Sequence, residues 1–357
     1  MQRLRQLWLR VHRWTALSLG WVLILSGLTG AVLVVAQPLD RWLHPELFRA
    51  RTQAGAPDAA LQEVLQKLKA EWPKGSFTMR PAREPGESLW VLVSGPWRGT
   101  VYFDPATGLE QGRRGEIEGF VNTLFKLHSS LWWQDTGKAI LAWVALAYLF
   151  LLITGLILWW PRRWPPSWRI VLDKGTLRAF FDLHRVGGAA LGLLMAVSVA
   201  SGAWMAWRPL GGFVTTLSGA APTKAPTLPK GSASTPALPL DALVAKAQAQ
   251  FPGASIGYVQ VPAQADRPLR VRMRVEDDPH PNGLSSVWLH PATGEVLAAH
   301  RWNELDPGAR ATAVIYPLHT GVLGGAVLEA VIAVSGLALA GMGITGAWLW
   351  WKRRRPR

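Results

Sequence analysis

Apolar and polar positions along this chain separate into four long apolar blocks with polar stretches between them. The blocks run Trp14–Ala36, Ala139–Trp160, Val186–Trp207 and Ala330–Trp351, and none contains Asp, Glu, Lys or Arg. A helix needs about 20 apolar residues to cross the ~30 Å hydrocarbon core, and ionised side chains are costly there. The pattern therefore predicts four transmembrane helices. The first block follows a basic start, as a signal peptide would. Its apolar run exceeds a signal core and no small-x-small cleavage site follows, so it is read as a retained helix.

The intervening stretches, 37–125 and 208–315, carry a different periodicity. Leu61, Val64, Leu65 and Leu68 fall on one face of a helix over Asp58–Glu71, and strands are expected at Leu89–Val93 and Thr100–Phe103. Pro105-Ala106-Thr107-Gly108 reads as a hairpin turn. The second stretch repeats the order, with a helix over Leu240–Phe251 and strands at Ala254–Val261, Leu269–Val275 and Ser286–Leu289. Residues 220–239, rich in Pro, Ala, Ser, Thr and Lys, read as a linker.

These parts form an internal repeat. Ile153-Thr154-Gly155 matches Ile344-Thr345-Gly346 at an offset of 191, and the same offset sets Leu127-His128 on Leu318-His319. At an offset of 172, Val11-His12-Arg13 falls on Leu183-His184-Arg185, and Thr29-Gly30-Ala31 on Ser201-Gly202-Ala203. Asp104-Pro105-Ala106-Thr107-Gly108 corresponds to His290-Pro291-Ala292-Thr293-Gly294. The expected fold is a membrane all-α four-helix bundle with two extracytoplasmic α+β domains, made by tandem duplication of a helix–domain–helix unit. Its expected parts are helix 1 (1–36), the first outer domain (37–125), an interfacial segment with helix 2 (126–161), a loop (162–182) and helix 3 (183–207). The second outer domain (208–315), an interfacial segment with helix 4 (316–351) and a basic tail (352–357) complete it.

The net charge of +15 would suggest a nucleic-acid partner if it formed one patch. Instead it clusters before the first block, at Arg162, Arg163, Arg169, Lys174, Arg178 and Arg185 between the second and third, and from Lys352 onward. With alternating helices these clusters share one side, the positive-inside signature. Both termini are expected in the cytoplasm and both outer domains in the periplasm, with no nucleic-acid partner. Tryptophans at the block ends, such as Trp159, Trp160, Trp350 and Trp351, suit the headgroup layer of the lipid. The absence of cysteine excludes disulfides, iron–sulfur ligation and covalent C-x-x-C-H haem.

Four histidines repeat: His12, His128, His184 and His319. The topology puts His12 and His184 near the cytoplasmic face and His128 and His319 near the outer face. Two facing imidazoles are a ligand set for six-coordinate haem iron or another transition metal. Gly187, Gly188 and Gly192 after His184, and Thr15, Ala16 and Gly20 after His12, would leave room for a macrocycle; close helix approach is the competing account. A helix unbroken from His128 to Trp160 would measure ~48 Å, so a break is expected at Gly137, and at Gly321, Gly324 and Gly325 in the second copy. The sequence alone leaves open whether the outer pair converges. His44, His280, His290 and His300 are not repeated and read as surface residues, and Met195, Met205 and Met342 as packing residues. Glu329 and Lys138 occupy matched positions, where they either pair or stand as separate interfacial charges.

These motifs, with the Trp-Trp-basic helix ends, resemble the PepSY-associated transmembrane proteins over nearly the whole chain. The resemblance implies a bacterial inner-membrane protein tied to iron uptake, with periplasmic PepSY-like domains. By the same resemblance, His12 with His184 and His128 with His319 are axial ligands of two non-covalent b-type haems. It further implies a ferric siderophore reductase that takes electrons from an external reductase or quinol; catalytic residues are not identified. An alternative is a non-redox membrane regulator or accessory protein whose outer domains bind a periplasmic partner.

Overall fold

The computed structural model describes the chain apart from residues 1, 53–58, 162–163, 208, 229–236 and 355–357. Arg162, Arg163, the start of the helix expected at Asp58, the centre of the 220–239 linker and the end of the basic tail lie outside the described residues. The first half runs α1 (Gln2–Leu43), α2 (Pro45–Phe48), α3 (Leu61–Glu71), β1 (Ser76–Arg80), β2 (Leu89–Ser94), β3 (Gly99–Phe103), β4 (Glu110–Gly115), α4 (Phe120–Ser130) and α5 (Gln134–Trp159). The second runs α6 (Thr176–Ala206), α7 (Pro209–Leu217), α8 (Leu240–Gln248), β5 (Ser255–Val261), β6 (Leu269–Arg274), β7 (Ser285–Leu289), β8 (Val296–His300), α9 (Pro307–Thr320) and α10 (Gly325–Arg354). The chain divides into two units: residues 1–36, 124–208 and 318–357, and residues 37–123 and 209–317.

The first unit is a helix bundle. Among the described residues, four helices, α1, α5, α6 and α10 with the turn before it, are long and apolar enough to cross a membrane. Small residues set the packing of α1 against α10: a Cβ on Gly27 would stand 2.5 Å from the Gly336 carbonyl, and one on Gly336 2.6 Å from that of Gly27. The breaks expected before α5 and α10 are present. Gly321 and Gly325 have φ of 85° and 60°, which glycine adopts without strain. In the first copy the break falls not at Gly137, which lies inside α5, but at Leu131, Trp132 and Gln134, with φ of 49°, 61° and 50°. Gly137 serves the turn differently: a Cβ there would strike the Ser130 carbonyl. In the second copy the small partner is Gly321 itself, packed against the Glu329 backbone. Lys138 pairs with Asp135 at 3.0 Å rather than with Glu329.

The second unit corrects the expectation of two separate outer domains. All eight strands join one antiparallel sheet in the order β4-β3-β2-β1-β5-β6-β7-β8. The seam is β1 on β5, with Phe77 opposite Val261 and Met79 opposite Val259. Each half alone would expose an unpaired strand edge; the pairing removes both edges. It also merges the apolar faces into one core that includes Met79, Val91, Val259, Val271 and Val287, all fully buried. The helices lock the halves as well. Neither α3 nor α8 has a side-chain cap of its own, from Ala60 or Pro239. Instead the Asp241 carboxylate accepts from Leu61 N and Gln62 N at 2.8 and 3.0 Å, and Gln62 Oε1 accepts from Leu240 N at 2.8 Å. Each helix start is capped from the other half.

Candidate functional site

The bundle brings the four repeated histidines together in two pairs. The His12 and His184 rings have centroids 6.4 Å apart with planes at 83°. The His128 and His319 rings are 6.1 Å apart with planes at 32°. Each pair takes one residue from each half. His12 and the position that supports His128, Thr29, lie seventeen residues apart on α1, about 25 Å at the helical rise, and His184 and Ser201 repeat that spacing on α6.

What fixes each imidazole is a hydroxyl followed by a glycine on a long helix of the same half. His12 Nδ1 lies 2.8 Å from Thr154 Oγ1, and His184 Nδ1 3.1 Å from Thr345 Oγ1. His128 Nδ1 lies 3.1 Å from Thr29 Oγ1, and His319 Nδ1 3.0 Å from Ser201 Oγ. The hydroxyl protons are engaged elsewhere: Thr154 donates to Leu151 O, Thr345 to Gly341 O, Thr29 to Leu25 O and Ser201 to Val197 O. Each oxygen must then accept from an Nδ1–H. His128 and His319 also have backbone carbonyls, of Ser26 and Ser198, at 3.1 Å from Nδ1. The tautomer is thereby set in all four, with the lone pair on Nε2, the arrangement of ligating histidines whose other nitrogen is held by an outer partner.

At Gly346, Gly30 and Gly202 the glycine after the hydroxyl makes room for the ring, while at Gly155 a Cβ would sit at ordinary contact distance. A Cβ would stand 3.5 Å from His12 Cε1 at Gly155, 3.3 Å from His184 Cε1 at Gly346, 2.9 Å from His128 Cε1 at Gly30 and 3.1 Å from His319 Cε1 at Gly202. Sequence reading registered the Thr-Gly and Ser-Gly dipeptides as repeat markers and missed this role. Their signal was there: a polar residue with glycine, recurring inside apolar blocks at the repeat offsets.

The small residues beside the first pair divide in two. Gly187 and Gly188 are taken up by Met342, and Gly192 by Leu152, so these three leave no room. Gly20, in contrast, is buried, yet a Cβ there would meet nothing within 4 Å; the half-buried Gly341 also has open space. Met195 is a packing residue in the cluster of Val22, Val144, Tyr148 and Leu339.

The unrepeated histidines are not all surface residues. His280 is 7% exposed and stacks on Tyr316 at 4.7 Å. His290, also buried, stands where the first half has Asp104 and does the same work: its Nδ1 accepts from Ala292 N and Thr293 N, as Asp104 Oδ1 accepts from Ala106 N and Thr107 N. The Pro-Ala-Thr-Gly segments are hairpin turns between β3 and β4 and between β7 and β8.

A match to the family described as the PepSY-associated TM region covers residues 9–353. No curated protein matches the chain.

Proposed function

Since the chain belongs to the PepSY-associated TM family, we propose that it is an inner-membrane dihaem electron-transfer protein that reduces a periplasmic acceptor. The observation that carries this reading is the pair of matched imidazole pairs. Two imidazoles that ligate one metal from opposite sides, with metal–nitrogen bonds of ~2 Å, hold their ring centroids ~6 Å apart, the spacing found in both pairs. The Nε2 lone pair left by that tautomer and the unfilled space at Gly20 and Gly341 fit a large flat ligand.

His12 with His184, and His128 with His319, would hold one non-covalent haem b per pair. Haem b supplies one-electron redox chemistry when bound. Thr154, Thr345, Thr29 and Ser201 keep each imidazole in the ligating tautomer, and the following glycines let the ring lie against the helix. The surrounding apolar side chains exclude water and so tune the potential. The ~25 Å between pairs approaches the ~30 Å core of a bilayer, which suits transfer from one face to the other.

The acceptor we propose is a ferric siderophore, whose hard oxygen ligands hold Fe(II) less well than Fe(III); the donor is an external reductase or quinol. The reading includes cytoplasmic termini, a periplasmic sheet unit and tandem duplication of the two halves. Absorption spectra of the purified protein, oxidised and dithionite-reduced, test it. Two b-type haems per chain are expected; no haem after expression with ample haem supply would sink the redox reading and leave a non-redox binding protein.

A further inference from the structure

Strand alternation gives the sheet a second face, turned away from its core. While Val259, Val271 and Met273 point into the core, Tyr258, Arg270, Arg272 and Arg274 occupy the alternate positions. Arg270 lies over Trp288 at 4.9 Å, and Arg272 and Arg83 approach Tyr258 at 5.5 and 6.0 Å. Aromatic planes hold guanidinium groups in fixed orientation and leave their edges free to donate.

The acceptors these edges find are all neutral. Arg270 donates to Ser286 Oγ at 3.1 and 2.9 Å, and Arg272 to the Gly283 carbonyl. Arg83 donates to Pro281 O, Gly257 O and Asn282 Oδ1, while its Nε is buried with no partner. Among the described residues none of Arg83, Arg270, Arg272 or Arg274 forms an ion pair. The nearby Asp278 carboxylate instead accepts from His280 N, Leu284 N and Ser285 N. The crowding is visible in the titrating groups. Burial and then Arg272 bring Arg270 down to about 10. Burial, followed by Arg272, Arg83 and Arg274, brings His280 down to about 4.

Half-buried guanidiniums that repel one another and donate only to neutral oxygens are costly even with the Glu87 and Asp278 carboxylates nearby, and a structural role would be served as well by uncharged side chains. We propose that Arg83, Arg270, Arg272 and Arg274 form an oxyanion site that takes the carboxylate or phosphate groups of a small multivalent anion. Arginine edges match such groups bidentately. The site straddles the seam of the sheet, since Arg83 follows β1 of the first half and Arg270, Arg272 and Arg274 belong to β6 of the second. It stands independently of haem binding.

The test is calorimetric titration of the full-length protein in chloride buffer with citrate and with pyrophosphate. It is done in detergent and in nanodiscs of zwitterionic lipid with or without phosphatidylglycerol. Saturable binding is expected, weakened on the order of 10-fold or more by Arg270→Gln or Arg272→Gln and unchanged by Arg267→Gln. Competition by phosphatidylglycerol would assign the site to a lipid headgroup; its absence would assign it to a soluble anion. In anion-free chloride buffer Arg272→Gln is expected to keep or raise the Tm. Absence of saturable binding in every arm, or binding indifferent to both Arg270→Gln and Arg272→Gln, overturns the site; so does a fall in Tm with anion binding retained. Arg274→Gln, at an exposed position, replaces any buried variant that does not fold.

Discussion

The two halves of this chain meet twice, and the meetings have opposite character. In the bundle, equivalent side chains face each other: His12 meets His184 and His128 meets His319, ring to ring. In the sheet unit, equivalent backbones meet: β1 pairs with β5 and the two halves share one core. In lipid the helices already satisfy their own backbone hydrogen bonds, so the halves meet through side chains and close packing, and a residue placed once per half becomes a two-residue site. A strand keeps an unsatisfied edge that its copy can fill, and the meeting becomes continuous structure.

The largest effect expected is on the side-chain meeting. His184→Ala should abolish one haem signal and spare the other, and His319→Ala should do the converse; reduced spectra and haem-to-protein ratios check this. If either substitution removes both signals, the pairs do not act as separate sites. The two ferric signals should also differ in electron paramagnetic resonance, because one pair of imidazole planes is near perpendicular and the other tilted by 32°.

Next in size are the glycines. Alanine at Gly30 or Gly202, where a Cβ would stand 2.9 or 3.1 Å from the imidazole, should disturb its haem more than alanine at Gly155, with 3.5 Å. Haem retention through purification measures it. The hydroxyls come third. Loss of an outer hydrogen-bond partner typically costs ~10 to 100-fold in metal affinity. Thr345→Val should stand in that range and Ser201→Ala below it, since His319 keeps the Ser198 carbonyl. Equal losses would show that the carbonyl adds nothing.

The backbone meeting should respond by smaller, purely structural amounts. Asp241→Ala removes the cap that α8 supplies to α3, and should lower the stability of the sheet unit by ~1 to 2 kcal/mol with both haem signals intact. Separate from both meetings is a pH effect at His280, which burial and then Arg272, Arg83 and Arg274 hold at about 4, with Tyr316 stacked on it. The unfolded chain, titrating near 6.5, binds the proton first, so this contribution is complete above about 6.5 and is lost as pH falls toward 4. Thermal melts across that range should show a slope that His280→Asn flattens.

Much of the site was legible before the fold. The repeat offsets picked out all four histidines and the topology set them two to a face, while the convergence of the outer pair was left open. The Thr-Gly and Ser-Gly dipeptides were visible but unread, since a hydroxyl and a hydrogen atom in place of a side chain acquire meaning only beside a ring. Three strands escaped the pattern. In β4, Glu-Gln-Gly-Arg-Arg-Gly has no apolar alternation; β1, Ser-Phe-Thr-Met-Arg, alternates over only two apolar residues, and β8 ends in Ala-Ala-His.

By itself the sequence determined the four apolar spans, the positions of the repeated histidines and, in each half, a helix followed by strands. These follow from periodicity, charge and spacing, which are local properties of the chain. The tertiary structure alone decided that two expected domains make one sheet, because edge pairing is a choice between distant strands. It also decided that Gly187, Gly188 and Gly192 are filled by Met342 and Leu152 while Gly20 stays open, because free space belongs to the neighbours of a residue and not to the residue itself.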